Sequence, residues 1–74
     1  MLDTDTPEIK FALNGKQVEW ADGSSLLAYL EQTGINPGTV VAEVNGVILK
    51  PEFFGAYIIN AGDEIEIIHF VGGG

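Results

Sequence analysis

Residues 8–13 alternate, with Ile9, Phe11 and Leu13 on one face and Lys10 and Ala12 on the other. That is the period-two pattern of a strand with one buried side. Asn14-Gly15 follows, the pair most favoured in a two-residue hairpin turn because both positions need positive φ. The return strand spans residues 16–20, with Val18 and Trp20 sharing a face while Gln17 and Glu19 point away. Asp22-Gly23-Ser24 breaks the alternation and supplies capping oxygens; Ser24 is the expected N-cap, with Asp22 as its rival. Residues 25–33 then read as a helix of about two and a half turns. Leu26, Leu27 and Leu30 form its apolar stripe, with Glu31 and Gln32 off it. Gly34 suits the left-handed position past the helix end, and Ile35 is placed to fold back on Leu30.

A second hairpin is expected over residues 40–44 and 47–50, turning at Asn45-Gly46. In that register Ala42, Val44, Val47 and Leu49 face the core, while Val41, Glu43, Ile48 and Lys50 face out. Pro51 has no N–H to donate and ends the strand. Residues 51–55 suit one short helical turn that lays Phe53 or Phe54 over the core edge. Tyr57-Ile58-Ile59 is apolar but too brief to assign. Residues 60–63 are a turn, and residues 63–71 form the most apolar strand. A helix after the first hairpin must pack on the sheet to bury its leucines, which gives a two-layer α+β domain. The last strand belongs mid-sheet. Paired with the first strand it completes a β-grasp: a mixed sheet of four to five strands with one main helix on one face. The predicted organisation is a flexible leader at residues 1–7, the domain at 8–71 and a flexible glycine tail at 72–74.

Composition narrows the function. A single domain of 74 residues buries only about 60% of the surface its unfolded chain exposes, which leaves little room for a walled substrate pocket. With no Cys, the chain has no disulfide, no thiolate metal site and no thiol chemistry of its own. Eleven acids against three lysines give a formal charge of −8. Nucleic acid and anionic membranes are therefore poor partners, and the surface is steered toward a basic face on another protein. No apolar run approaches the ~20 residues that span a bilayer. No basic-then-apolar leader is present either, so a cytoplasmic location is expected.

Side-chain chemistry is sparse. His69 is the only histidine, and alternation places it with Ile65, Ile67 and Val71, toward the core or its rim. Without Cys or paired carboxylates beside it, it makes a poor metal site. Ser24 and Ser25 sit at a helix start, where capping accounts for them. Asp63, Glu64 and Glu66 lack the alternating ligand spacing of a calcium loop. On the Glu64/Glu66 face the next outward positions are Ile68 and Phe70, an apolar patch joined by Val41 or Ile48. The alternative is a β-bulge near Ile67-Ile68 that turns one of them inward. Beyond this strand Gly72-Gly73-Gly74 form a thin stalk without Cβ atoms, able to pass close to another protein's walls. A loose chain end also looks like this.

The turn at Asn14-Gly15 with residues 16–20, the Asn45-Gly46 hairpin, residues 62–67 (GDEIEI) and the closing run His69-Phe70-Val71-Gly72-Gly73-Gly74 resemble ThiS, the ubiquitin-like sulfur carriers of thiamin biosynthesis. The resemblance runs from about Ile9 to Gly74. It implies that the Gly74 carboxylate is adenylated by a ThiF-type adenylyltransferase and then converted to a thiocarboxylate. A cysteine desulfurase or sulfurtransferase would supply the sulfur, and a ThiG-type thiazole synthase would receive it. Gly72, Gly73 and Gly74 would enter the partner's active site, while Ile68, Phe70 and Val71 dock. The chain would be a carried co-substrate and not an enzyme, needing no metal or cofactor. The alternatives are a MoaD-like carrier for molybdopterin synthesis and a ubiquitin-like protein modifier.

Overall fold

The computed structural model describes residues 7–70. Residues 1–6 and 71–74, which include Val71, Gly72, Gly73 and Gly74, lie outside the described residues. Strand β1 (Glu8–Leu13) and strand β2 (Lys16–Ala21) form the first hairpin. Its turn residues have φ of 51° at Asn14 and 81° at Gly15, the double left-handed geometry that an Asn-Gly pair serves. The register sets Ile9 opposite Trp20 and Phe11 opposite Val18, so these side chains share the inner face.

Helix α1 (Leu26–Gln32) follows, and its N-cap is Ser25, not Ser24 or Asp22. The Ser25 Oγ accepts from the Ala28 N–H at 3.0 Å. The start moves because the chain is still extended at both serines. The Ser24 carbonyl accepts from the Ile59 N–H at 3.0 Å, and Ser25 bridges to Ile58. The brief apolar segment at residues 57–59 thus serves as the wall that delays the helix, with Ile59 buried inside it.

The buried stripe of α1 is Leu26, Tyr29 and Leu30, with Leu27 only half-buried. Tyr29 is missing from the expected stripe because its phenol reads as polar. In the fold its ring stands edge-on to Phe11 (5.5 Å between centroids) and to Trp20 (4.9 Å). Edge-to-face contact of this kind adds about 0.5–1.5 kcal/mol per pair beyond the buried area. At the other end Gly34 adopts φ 84°, and the Ile35 N–H reaches back to the Leu30 carbonyl at 2.9 Å. This is the predicted helix stop.

A 3-10 turn at Pro37–Thr39 leads into β3 (Val40–Val44), which turns at Asn45-Gly46 into β4 (Val47–Leu49). Val40, Ala42 and Val44 are buried. Val47 was expected in the core, yet it is 68% exposed. It pairs with Val44 at the turn end of β4, the outermost strand, where no further strand flanks it. A second 3-10 turn at Pro51–Phe53 settles the two phenylalanines: Phe54 is fully buried and Phe53 is exposed.

The last strand, β5 (Glu64–His69), lies at the centre of a five-stranded sheet ordered β2-β1-β5-β3-β4. It runs parallel to β1 and antiparallel to β3. Ile65 and Ile67 point into the core under the helix, and the other sheet face carries no helix. This is the α+β, β-grasp arrangement expected from the order of elements.

Candidate docking face and the root of the tail

The β3–β5 register is unbroken from Val44 opposite Ile65 to Val40 opposite His69. No bulge intervenes, so alternation carries Glu64, Glu66, Ile68 and Phe70 together onto the open face. Ile68 and Phe70 are 44% and 46% exposed. Val41 lies directly opposite Ile68, so it is the residue that extends the patch. Ile48 sits opposite Glu43, diagonal to Val41, and marks the rim. A contiguous exposed apolar cluster signals a contact site more often than scattered exposed side chains do.

Beside the cluster Glu43 and Glu66 face each other across β3 and β5. Like charges directly opposite on neighbouring strands destabilise a sheet. Glu64 continues the acidic row along β5. The face is therefore apolar toward the Phe70 end and acidic behind it, a combination suited to a partner with an apolar contact flanked by cations.

The strand that carries this face is pinned from both sides by the two turn asparagines. The Asn14 Oδ1 accepts from the Ile67 N–H at 2.8 Å. The Asn45 Oδ1 accepts from the Glu64 N–H at 2.9 Å, while its Nδ2 donates to the Asp63 Oδ1 at 2.9 Å. Asp63 is 6% exposed. Its other oxygen accepts from the Tyr57 hydroxyl and from the Asn60 N–H at 2.9 Å. Burial pushes the Asp63 carboxyl up, but the bonds from Tyr57, Asn60 and Asn45 outweigh it and hold the group below its ordinary 3.8. Tyr57 is raised above 10.0, first by burial and then by its bond to Asp63. Composition and spacing gave no sign of this network, because its members are up to 19 residues apart.

Other candidates resolve simply. His69 shares the inner parity of Ile65 and Ile67 but is exposed, which places it at the rim and not in the core. The Asp63 carboxylate is occupied by internal donors. Among the described residues no group of three or more His, Cys, Asp or Glu side chains is arranged to hold a metal. No helix among them is long and apolar enough to cross a membrane. The structure brings Ile68 and Phe70 together as expected, while Val71, Gly72, Gly73 and Gly74 fall outside the described residues.

A central strand parallel to β1, one helix on one face and a glycine-rich run after the strand define a ubiquitin-like β-grasp domain. The ThiS family model matches residues 5–74, and the chain belongs to that family. The crystal structure of the thiamine biosynthesis protein ThiS from Geobacter metallireducens superposes with a TM-score of 0.74. It is 30% identical and covers 89% of this chain and 100% of its own. The sulfur carrier protein ThiS of Bacillus subtilis is 36% identical over 63 residues, 84% of this chain and 96% of that protein. A thiazole synthase of Magnetococcus marinus is 33% identical over 66 residues, 89% of this chain. This chain spans only 20% of the length of the curated thiazole synthases that it matches.

Proposed function

We propose that this protein is a sulfur carrier of thiamin biosynthesis, and that its reactive group is the Gly74 carboxylate. The observation that carries the reading is the setting of β5. A central strand pinned by Asn14 and Asn45 leads toward a run of glycines, next to an exposed apolar and acidic face. A carboxylate is a poor acylating group, so it has to be activated. In the proposed sequence the Gly74 carboxylate attacks the α-phosphate of ATP within a ThiF-type adenylyltransferase, and pyrophosphate leaves. The acyl-adenylate then offers AMP as a good leaving group. A persulfide sulfur from a cysteine desulfurase or sulfurtransferase displaces AMP, and thiol cleavage of the resulting acyl disulfide leaves the thiocarboxylate.

These bond changes need no side chain from the carrier. Ile68, Phe70 and Val71 dock, Gly72 and Gly73 thread the partner's channel, and Gly74 reacts. A Cβ at Gly74 would crowd the carbon that sulfur attacks. The chain is thus a co-substrate, and the catalysis belongs to its partners. Two thiazole synthases contain a stretch similar to this chain, which supports a ThiG-type enzyme as recipient of the sulfur. The test is to incubate the protein with ATP, a ThiF-type enzyme and a sulfur donor, then weigh it intact. Exchange of one oxygen for sulfur is expected, and an unchanged mass overturns the proposal.

A further inference from the structure

Along β5 the backbone groups of odd-numbered residues point toward β1. The Asp63 and Ile65 carbonyls accept from the Ala12 and Asn14 N–H groups at 2.8 and 2.9 Å. Even-numbered residues point toward β3, as the bond from the Phe70 N–H to the Thr39 carbonyl at 3.2 Å shows. Strand β1 ends at Leu13, and the Asn14 side chain supplies the next rung by accepting from the Ile67 N–H. The rungs after that are the Ile67 C=O and the N–H and C=O of His69. None of the three has a hydrogen-bond partner among the described residues. The central strand of the sheet therefore becomes an edge strand over its last residues, on the side that β1 leaves uncovered. Unpaired strand edges are templates for another chain.

We infer that this short open edge of β5 takes an extended segment of the adenylating partner as an added strand, and that the pairing runs on along the glycine tail. The inference rests on the carrier reading above. Gly72, Gly73 and Gly74 present no side chains, so a partner that fixes their course has only backbone N–H and C=O groups to hold. Strand addition reads those groups, and the open rungs at Ile67 and His69 provide its first bonds. The added strand would lie beside Glu66, Ile68 and Phe70 on the outer face. The fitting occupant is thus an extended segment with apolar side chains and a lysine or arginine toward Glu66. A second copy of this chain fits poorly, because each copy carries a formal charge of −8.

The test follows backbone amide exchange by NMR in the full chain, alone and with a ThiF-type enzyme and ATP. In the free protein the His69 amide is expected to exchange fast while those of Ile67 and Phe70 are protected. In the complex the His69 amide becomes protected at least tenfold. His69→Pro removes that N–H without removing a bond from the free fold, since proline is tolerated where a strand's N–H faces outward. It should keep the urea midpoint near that of the native chain and weaken partner binding by about tenfold, the cost of a lost hydrogen bond or two. A His69 amide that stays open in a complex competent for adenylation overturns this inference alone. So does native-like binding by His69→Pro, or a free chain already paired with itself at this edge. A native chain that is never adenylated overturns the carrier reading as well.

Discussion

The Asn14 side-chain carbonyl and the Ile67 backbone N–H, 53 residues apart in sequence, are joined by a 2.8 Å hydrogen bond. Asn14 occupies the first left-handed position of its turn, with φ 51°, so its own carbonyl swings away from the line of β1. Its side chain supplies the acceptor that a continuing strand would have offered. One residue therefore does two jobs: it makes the turn and holds the last-formed strand. Asn45, also at φ 51°, does the same on the other side of β5 through Glu64 and Asp63.

Asn14→Gly separates these roles, since glycine accepts the turn geometry but lacks the amide. The expected loss is about 1 kcal/mol, the net worth of one such bond. Asn45→Gly removes two bonds and should cost about 1–3 kcal/mol. Urea denaturation of the two variants checks both the sign and the order. Equal stability of all three proteins would show that the side-chain bonds add nothing to the turns.

Asp63 and Tyr57 give stability a pH profile. A carboxyl held below its ordinary value stabilises the fold fully above the unfolded value, near 3.8, and that contribution is lost as pH falls through the folded value. The Tyr57 hydroxyl, raised above 10.0, has the opposite sign: its contribution is present below that value and is lost as pH rises past the folded one. Denaturation across pH should thus show a plateau between about 4 and 10. Asp63→Asn should flatten the acid limb and lower the plateau by about 1–3 kcal/mol, because buried donors lose an acceptor.

Docking and folding separate on the outer face. Ile68→Asp or Phe70→Asp replaces an exposed side chain, so thermal stability should move by less than about 0.5 kcal/mol. Binding to a ThiF-type enzyme should weaken by about tenfold or more, with loss of a central apolar contact. Calorimetric titration measures the affinity, and native-like binding by both variants would move the docking site elsewhere. Raised salt should slow association of the native chain, since its net charge steers the encounter.

The tail prediction concerns chemistry alone. Gly74→Val should leave the denaturation curve of the domain in place and stop adenylate formation, read as ATP-dependent pyrophosphate release. Turnover at the native rate would show that the partner's channel has room for a Cβ, against the argument for bare glycines.

Much of the architecture is written in local pattern. Alternation at Ile9, Phe11 and Leu13 and at Ile65 and Ile67, the two Asn-Gly turns and Gly34 each act within a few residues. A linear reading therefore finds the strands, the helix and its stop. That reading also places Ile68 and Phe70 outward, because side-chain parity along a strand survives any arrangement of its neighbours. Where it failed, a distant part of the chain intervened. Ile59 claimed the Ser24 carbonyl and moved the cap to Ser25. Phe11 and Trp20 drew Tyr29 into the core. The outermost position of β4 left Val47 without cover.

By itself, the sequence determined which residues turn, which alternate and which carry charge, since those properties depend on φ preferences and near neighbours. Only the tertiary structure decided that two turn asparagines grip the central strand, that Asp63 is spent on internal donors and that β5 outruns β1. These depend on which segments lie side by side after folding. A hydrogen bond between residues 53 apart leaves no periodicity in the chain, because its partners meet only when the sheet has closed.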